Sequence, residues 1–270
     1  MDEITIGYLT WKKNDLINDT LKSHNDNGLF QIIKPENRYI FFQESNIEKD
    51  IELCKKYNCN YLGDENNIGI LNAFVKLVEN CKTKYFIFCE NDFILLNSTN
   101  NYSLQNCFID AMTILDNNKF AQIKLSNYKK PGFLYCTPQN KENWLLNKQE
   151  NYPYKIESFS WILNPRNFYN CVNILTLNYD WLYVSSKHQK WSNHIYICNI
   201  YYLKNVVVPL LLHNKKYNEK LDIKYQGLED TLNNVNDIPN KDKNIDELIK
   251  MHLERQIFTG GGNFFHNKKF

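Results

Sequence analysis

Apolar and polar positions alternate along the first half of the chain in a pattern that predicts strands and helices in turn. Four short apolar runs predict strands at Ile4–Thr10, Arg38–Gln43, Cys59–Leu62 and Tyr85–Cys89. Between them, apolar residues recur at helical spacing and predict helices at about 15–24, 47–57 and 66–81. This alternation is typical of an α/β fold with a mostly parallel central sheet flanked by helices.

The second half of the chain has a less regular pattern. It predicts a helix at Leu104–Leu115, a strand at Phe120–Leu125, an extended connection over 126–158, a strand at Ser158–Asn164 and a helix at Arg166–Leu175. The following run 195–212 is apolar, but Pro209 limits how far it can be one regular element. Asn244 and Glu247 form a capping-box pattern that predicts a last helix, with a short glycine-containing tail after it. No linker divides the chain, so we expect a single domain over residues 1–270.

Composition and charge exclude several classes of protein. The chain has 270 residues, of which 43% are hydrophobic and 23% charged, as in globular proteins. Its net charge of +2 comes from scattered basic residues, which gives no electrostatic case for a nucleic-acid partner. The eight cysteines include no Cys-x-x-Cys pair, which argues against a zinc site or a disulfide framework. The acidic amino terminus resembles neither a signal peptide nor an anchor, and no run approaches the ~20 apolar residues of a membrane span. We therefore expect a cytoplasmic protein.

An apolar strand that ends in two acids is the most informative stretch of the sequence. Glu90 and Asp92 follow the strand at 85–89 and are two residues apart, so an extended backbone points both side chains the same way. The carboxyl ends of such strands open into the crevice where α/β sheets bind ligands. Two carboxylates there can hold a divalent cation, which in turn can hold a diphosphate. The alternative is an acidic surface turn after a buried strand.

The order of these features resembles the GT-A glycosyltransferases, particularly the inverting family 2 type. The first strand ends in Thr10, as does the family's opening strand, whose terminal Thr contacts the nucleotide base. Asn67 and Asn72 lie in a segment similar to the family's helix start after the third strand, and Glu90 and Asp92 occupy the place of its Asp-x-Asp motif. The resemblance covers residues 3–97 well and the rest loosely. It implies a single Rossmann-like GT-A domain, with a nucleotide-sugar-binding half at 1–97 and an acceptor-binding half at 98–270.

Two departures from the family pattern affect the expected donor site. Glu90 replaces the first Asp, so Asp92 is the stronger candidate for a metal ligand and Glu90 can serve the ribose, a metal-bound water or the metal. Where the family has an Asp that reads the base, the chain has Gln43 and Glu44. Gln43 can still hydrogen-bond a uracil, so a UDP-sugar is the expected donor.

The resemblance also implies roles for residues in the second half. Glu229 and Asp230 match the family's Glu-Asp pair at a helix start, where one acid is the general base; Asp230 is slightly preferred. The helix dipole alone also favours acids at such a position. His266, after three consecutive glycines, fits a third ligand of Mn²⁺ or Mg²⁺ on a mobile loop, or else is an incidental residue of a frayed terminus. Trp161 and Trp191 are weak candidates for stacking on the acceptor.

The function implied is therefore metal-dependent, inverting transfer of a sugar to a glycan, lipid-linked or protein acceptor. A second hypothesis is a catalytically inactive GT-A domain that binds a glycan or a protein. A third is a nucleotidyltransferase, but such enzymes usually carry a glycine-rich loop after the first strand, and residues 10–14 contain no glycine.

Overall fold

A computed structural model describes residues 2–12, 14–95, 103–117, 119–126, 173–186, 191, 193–220, 227–239 and 241–266. For residues 126 and 256–266 it describes the backbone alone. The expected strands at 158–164 and the connection after residue 126 lie outside these ranges, as does Trp161.

The described strands form one sheet. They are β1 (Ile4–Trp11), β2 (Arg38–Gln43), β3 (Asn60–Asp64), β4 (Tyr85–Glu90), β5 (Phe93–Leu95), β6 (Phe120–Ser126), β7 (Asn173–Thr176), β8 (Asp180–Ser185), β9 (Tyr196–Asn199) and β10 (Gln256–His266). Their order is β3-β2-β1-β4-β9-β6-β10-β8-β7, and β5 pairs with β10. Strands β3, β2, β1 and β4 are mutually parallel, β9 is antiparallel to both neighbours, and β6 is parallel to β10.

Helices cover both faces of the sheet. They are α1 (Asn14–Asp26), α2 (Leu29–Ile32), α3 (Ile47–Tyr57), α4 (Gly69–Asn80), α5 (Leu104–Leu115), α6 (Val208–Lys220), α7 (Leu228–Asn233) and α8 (Lys243–Leu253). Apolar residues of α1, α3 and α5 pack on one face, and those of α4, α6, α7 and α8 on the other. The expected α/β fold, with a mostly parallel central sheet flanked by helices, is confirmed.

Strand β4 runs through the middle of the sheet and is buried on both sides. Ile87 and Cys89 belong to the core of one face, and Phe86 and Phe88 to the core of the other. A strand covered by helices on both faces needs apolar residues throughout, which explains the unbroken apolar run before Glu90. The two acids therefore begin where the buried part of the central strand ends.

Three sequence predictions in the second half need correction. Residues 173–175, predicted as the end of a helix, form part of β7. The last helix is capped by Asp242, whose side chain accepts a hydrogen bond from the Ile245 amide at 2.9 Å, and not by Asn244. Residues 259–266, predicted as a mobile loop or frayed end, belong to β10, which pairs with β6, β8 and β5 and contains register shifts around the glycines.

The effect of Pro209 agrees with the sequence prediction. Strand β9 gives way to helical turns at Ile200–Tyr202, a π-helical segment at Leu203–Val207 and then α6. Because proline has no amide hydrogen to donate, a wider turn just before Pro209 is a way for the helical path to continue.

Candidate active site at the carboxyl ends of the parallel strands

The carboxyl ends of β1, β2 and β4 and the start of α4 surround a cavity of about 410 Å³. The cavity is lined by Leu9, Thr10, Trp11, Gln43, Asn67, Gly69, Ile70, Glu90, Asn91 and Asp92. Five of the residues predicted from the sequence thus come together: Thr10, Gln43, Asn67, Glu90 and Asp92. Because the strands are parallel, their ends meet at one edge of the sheet, where open α/β sheets bind ligands.

Helix α4 begins at this cavity, which its first two residues, Gly69 and Ile70, help to line. Gly69, its first residue, has φ of +79°, and its amide donates to the Asn67 side chain at 2.9 Å. The side-chain oxygen of Asn67 thus satisfies one of the helix's first amide groups, although the N-cap position itself is Ile68. The structure places Asn72 one turn further along α4, and its predicted role in binding the donor stays a prediction. It does not line the cavity; its side chain donates to Ile68 and accepts from Lys215 at 2.9 Å.

A second cavity of about 660 Å³ adjoins the first and shares Thr10 and Gln43 with it. Glu44 lines this second cavity, with Lys12 beside it. Lys12 and Glu44 both have left-handed backbones, with φ of 50° and 52°, and their side chains form an ion pair. Non-glycine residues adopt this conformation at a cost of about 1–3 kcal/mol, and such residues cluster at functional sites. The two strained residues hold the ends of β1 and β2 together.

The carboxylate of Glu44 is already engaged by its neighbours. Besides the ion pair with Lys12, it accepts a hydrogen bond from the Trp11 indole at 3.1 Å. The Lys12 hydrogen bond, aided by that of Trp11, lowers the pKa of Glu44. Glu44 is therefore a fixed anion at the edge of the cavity, whose partners are both protein side chains.

Gln43 lies between the two cavities with hydrogen-bonding capacity to spare. Its side chain is only 4% exposed, and within the described part of the chain its Oε1 has no hydrogen-bond partner. An unsatisfied buried polar atom costs about 1–3 kcal/mol, so a ligand N–H group that reached Oε1 would recover that energy.

The carboxylate of Glu90, which lines the smaller cavity, is influenced by two other carboxylates. Burial is the largest cause that raises the pKa of Glu90 to about 8, and the negative charges of Asp92 and Glu229 contribute the rest of the rise. Glu229 belongs to α7, more than a hundred residues away in sequence. The fold therefore brings an acid from the second half of the chain to the two acids at the end of β4.

Hydrogen bonds to the segment before β9 hold Glu229 in place. The Asn193 amide donates to Glu229 Oε1. One helical turn later, Asn233 accepts from the Trp191 amide at 2.7 Å and donates to the Trp191 carbonyl at 3.0 Å. Asp230, the slightly preferred candidate, is exposed and is not among the charges that act on Glu90. Of the predicted pair, the structure brings Glu229 to the strand-end acids.

Further buried polar groups belong to the stretch of chain around Asn193, whose amide donates to Glu229. The Tyr196 hydroxyl, the Trp191 indole N–H and the Asn193 side-chain oxygen are buried, and among the described residues none has a hydrogen-bond partner. Burial raises the pKa of Tyr196 well above its usual value, and its neighbours Cys198, Glu229 and Glu90 add to the rise. The Trp191 indole lowers the pKa of Tyr196 and so offsets part of the rise, although the two groups do not reach hydrogen-bond geometry.

Trp191 is therefore not an exposed platform for a sugar, as had been expected. It is 2% exposed and packs edge-on against Tyr196, with the ring centroids 5.2 Å apart. It also lies near His252, with the ring centroids 6.2 Å apart. A tryptophan in this position contributes to the core of the face that carries α7.

The backbone of β10 brings His266 to the same edge of the sheet. His266 lies opposite Phe93 in the antiparallel pairing of β10 with β5, one residue beyond Asp92. This register is compatible with the predicted role of His266 beside the acids, and that role stays a prediction.

A divalent cation fits the chemistry of the two strand-end acids. Glu90 and Asp92 line the same cavity, and their mutual repulsion helps to raise the pKa of Glu90, a penalty that a bound cation would relieve. No group of three His, Cys, Asp or Glu side chains close enough to hold a metal occurs in the described ranges. Mg²⁺ commonly binds through one or two carboxylates plus substrate phosphates and water, so two acids suffice for a site completed by a diphosphate.

The sequence interpretation missed Trp11, Asn91, Asn193 and Tyr196. Asn91 stands between the two acids, and its side chain donates to Thr10 Oγ1 at 3.2 Å, linking the ends of β4 and β1. Its position in Glu-Asn-Asp was the signal that could have identified it. Asn193 and Tyr196 carried no comparable signal, because their role depends on the packing of α7.

Comparison with known proteins gives only distant similarities. No protein-family profile and no curated protein matches the chain. Among solved structures, Staphylococcus aureus TarS 1-349 in complex with UDP-GlcNAc matches with a TM-score of 0.47 and 14% identity, covering 100% of this chain and 59% of that one. Glucosyl-3-phosphoglycerate synthase from Mycobacterium tuberculosis, in complex with phosphoglyceric acid, matches with a TM-score of 0.47 and 10% identity, covering 100% and 73%.

A mannosyltransferase from Pyrobaculum calidifontis, in complex with GDP-Man and Mn²⁺, matches with a TM-score of 0.35 and 9% identity, covering 47% of this chain. This chain spans 36% of that protein's length and 59% of the TarS fragment, less than two thirds of either. All three TM-scores are below 0.5, so these similarities establish neither a common fold nor a function. The function is therefore argued from the site itself.

None of the helices in the described part of the chain combines the length and apolar character needed to cross a lipid bilayer.

Proposed function

We propose that this chain is a metal-dependent glycosyltransferase that moves a sugar from a nucleoside-diphosphate sugar, a UDP-sugar, to a hydroxyl acceptor with inversion at the anomeric carbon. One observation carries the proposal: Glu90, which lines a cavity at the parallel strand ends together with Asp92, lies close enough to Glu229 for the charge of Glu229 to raise its pKa. This arrangement supplies both anionic ligands for a cation and a separate carboxylate for proton transfer.

The donor would occupy the two adjoining cavities. Gln43, with its unsatisfied oxygen, would contact the base, and Thr10, which lines both cavities, would lie between base and phosphates. Asn67 and the amide end of α4 would face the anionic part of the donor, because helix amino termini favour negative charge. Glu44 would lie on the base side of the donor, where its carboxylate already accepts hydrogen bonds from Lys12 and Trp11.

Asp92 would be the main ligand of Mn²⁺ or Mg²⁺, with Glu90 and His266 beside it. When bound, the cation supplies positive charge that stabilises the diphosphate as it leaves. Mn²⁺ and Mg²⁺ both accept carboxylate and phosphate oxygens, and Mn²⁺ also accepts imidazole. A raised pKa of Glu90 is consistent with a carboxylate whose charged form is stable only when a cation compensates it.

Glu229 would be the general base that takes the proton from the acceptor hydroxyl. Its Oε1 is held by the Asn193 amide, which fixes the carboxylate and lowers the entropy lost in orienting it. General base catalysis is worth about 10²–10⁴-fold in rate. Attack from the side opposite the leaving diphosphate gives inversion. The acceptor would be a glycan, a lipid-linked glycan or a protein, and a cytoplasmic location stays a prediction.

The test is release of nucleoside diphosphate from a panel of UDP-, GDP- and CDP-sugars, with Mn²⁺, Mg²⁺ or EDTA. The proposal predicts turnover of a UDP-sugar that requires the metal and is lost in Asp92→Ala but kept in Asp230→Ala. Full activity of Asp92→Ala would contradict it. Metal-dependent binding of UDP without turnover of any donor would instead favour a catalytically inactive binding domain.

A further inference from the structure

A row of polar side chains on α1 and directly after its end faces β5. The row consists of Thr20, Ser23 and His24 of α1 and of Asn27, which follows the last residue of the helix; their spacing of three and four residues places them on one side of the helical path. We call these four residues the α1 polar row. Thr20 and His24 are fully buried, which is unusual for polar side chains unless they have partners.

The α1 polar row binds the backbone of the segment that contains Asp92. The contacts run from Thr20 Oγ1 to the Asn91 carbonyl at 2.8 Å, from His24 Nε2 to the Phe93 carbonyl at 2.8 Å, from Asn27 Nδ2 to the Leu95 carbonyl at 2.8 Å, and from the Leu95 amide to Ser23 Oγ at 3.1 Å. They engage residues 91, 93 and 95, every second residue, which is how a neighbouring strand would pair.

The opposite edge of this segment is paired with a real strand. Phe93, Ile94 and Leu95 pair with His266, Phe265 and Phe264 of β10. One edge of β5 is thus held by backbone groups and the other by helix side chains. The segment that carries Asp92 is therefore fixed on both sides, and α1 takes the place of a missing strand.

His24 is a neutral hydrogen-bonding group in this row. Burial lowers its pKa to about 3, partly offset by the bond to the Phe93 carbonyl. Since a carbonyl oxygen only accepts, Nε2 carries the hydrogen and Nδ1 accepts from the Tyr8 hydroxyl, 2.6 Å away. Through Tyr8 the row is tied to β1, whose end supplies Thr10 to the cavity.

We propose that the α1 polar row is a positioning element that sets the direction of the Asp92 carboxylate toward the cation and the diphosphate. This inference rests on the proposed function. Thr20 is the most direct member, because it holds the carbonyl of the peptide unit that joins Asn91 to Asp92. Rotation of that peptide unit turns the Asp92 side chain, whereas movement of Phe93 or Leu95 acts from further along the chain.

Thr20→Val tests the proposal, because valine keeps the shape of threonine and removes only the hydroxyl. The matched control is Thr5→Val, which removes a hydroxyl that bonds to Thr83 at 2.7 Å. Thr5 is also fully buried, but it lies at the opposite end of β1 from the cavity. Thr20→Ser restores the hydroxyl and is the rescue variant.

The first readout is Mn²⁺ affinity in the presence of UDP, measured by electron paramagnetic resonance, with metal-free UDP affinity as reference. We expect Thr20→Val to weaken Mn²⁺ binding about five- to tenfold, the scale of one lost hydrogen bond, with metal-free UDP binding within twofold. Thr5→Val and Thr20→Ser should bind Mn²⁺ like the wild type. Equal Mn²⁺ affinity for Thr20→Val and Thr5→Val would overturn the proposal.

Crystal structures of the two variants give a second readout that does not depend on the proposed function. The Asp92 carboxylate should be displaced in Thr20→Val and unmoved in Thr5→Val; an unmoved carboxylate in both would overturn the positioning role. If the wild type binds neither Mn²⁺ nor UDP, the proposed function fails while this readout still decides the positioning role. Should Thr20→Val not fold, Ser23→Ala, at a half-buried position, is expected to show the same displacement to a smaller degree.

Discussion

The two acid pairs predicted from the sequence are built differently, and only three of their four members come together. Glu90 and Asp92 leave a buried strand and both line one cavity. Glu229 and Asp230 begin a short helix, and only Glu229 is close enough to influence Glu90. Asp230 is exposed on the other side of the helix. The difference shows how local backbone geometry decides which acids of a motif can act together.

Glu90 ends β4, and Asn91 and Asp92 form the turn before β5, so the two acids lie in a turn and not, as the sequence pattern suggested, in extended backbone; both nevertheless line the same cavity. Adjacent residues of a helix are instead turned by about 100° from one another. In α7, Leu228, Thr231 and Leu232 form the buried stripe. Glu229 flanks that stripe and Asp230 lies nearly opposite to it, so the two acids cannot share one function.

The largest effect is expected from a substitution in the helix pair, Glu229 and Asp230. Glu229→Gln should lower kcat about 10²–10⁴-fold with little change in donor KM, because it removes the base but not the donor site. Steady-state kinetics with the donor found in the nucleotide-sugar panel measure this. Asp230→Asn is the matched control and should stay within twofold of the wild type. The opposite ranking of the two variants would mean that Asp230 is the base.

The next effect concerns the strand pair and its dependence on pH. The folded-state pKa of Glu90 is about 8, raised from 4.5, so its contribution to stability is full below pH 4.5 and is lost as pH rises toward 8. Without a divalent cation, the free energy of unfolding of the wild type should therefore fall with rising pH relative to that of Glu90→Gln. The fall should be at most about 1.4 kcal/mol per pH unit. Urea unfolding at pH 5, 6.5 and 8 measures the difference.

The same titration has a consequence for metal binding. Because a carboxylate must lose its proton to bind a metal, Mn²⁺ should stabilise the wild type more at pH 8 than at pH 6. Asp230→Asn should follow the wild type throughout. Parallel stability curves for the wild type and Glu90→Gln from pH 5 to 8 would show that Glu90 titrates normally.

A smaller effect should come from the hydrogen bonds that orient Glu229. Asn233→Ala removes two bonds to the Trp191 backbone, so the segment that donates to Glu229 loses its anchor on α7. We expect kcat to fall about tenfold, with UDP affinity unchanged, because the carboxylate remains but is less well oriented. Asn234→Ala, the exposed next residue, is the control. If both variants behaved alike, this segment would have no role in orienting Glu229.

The sequence predicted the first half of the fold and the strand-end acids well, because both depend on local patterns. The unbroken apolar run at 85–89 predicts the buried strand, and the two acids after it mark the place where that strand ends. The orientation of Asp230 was also accessible, since the apolar stripe of α7 places it opposite the core. The preference for Asp230 as the general base followed from the family pattern and not from the side of the helix on which Asp230 lies.

Other features depend on contacts that no local pattern contains. Trp191 could be a core residue or a sugar platform, and only the packing of Tyr196 and His252 against it decides. Three consecutive glycines at 260–262 have a low strand propensity, yet β10 forms because partners flank it on both edges. The α1 polar row likewise acquires its role only when α1 meets β5.

The measurement that tests the central claim most directly is calorimetric titration of UDP into the wild type, Asp92→Ala and Asp230→Ala, each with and without Mn²⁺. The account predicts that Mn²⁺ strengthens UDP binding by the wild type and by Asp230→Ala, and that Asp92→Ala loses this gain. If Mn²⁺ strengthened UDP binding equally in Asp92→Ala, the strand-end acids would not be the cation site and the account would be contradicted.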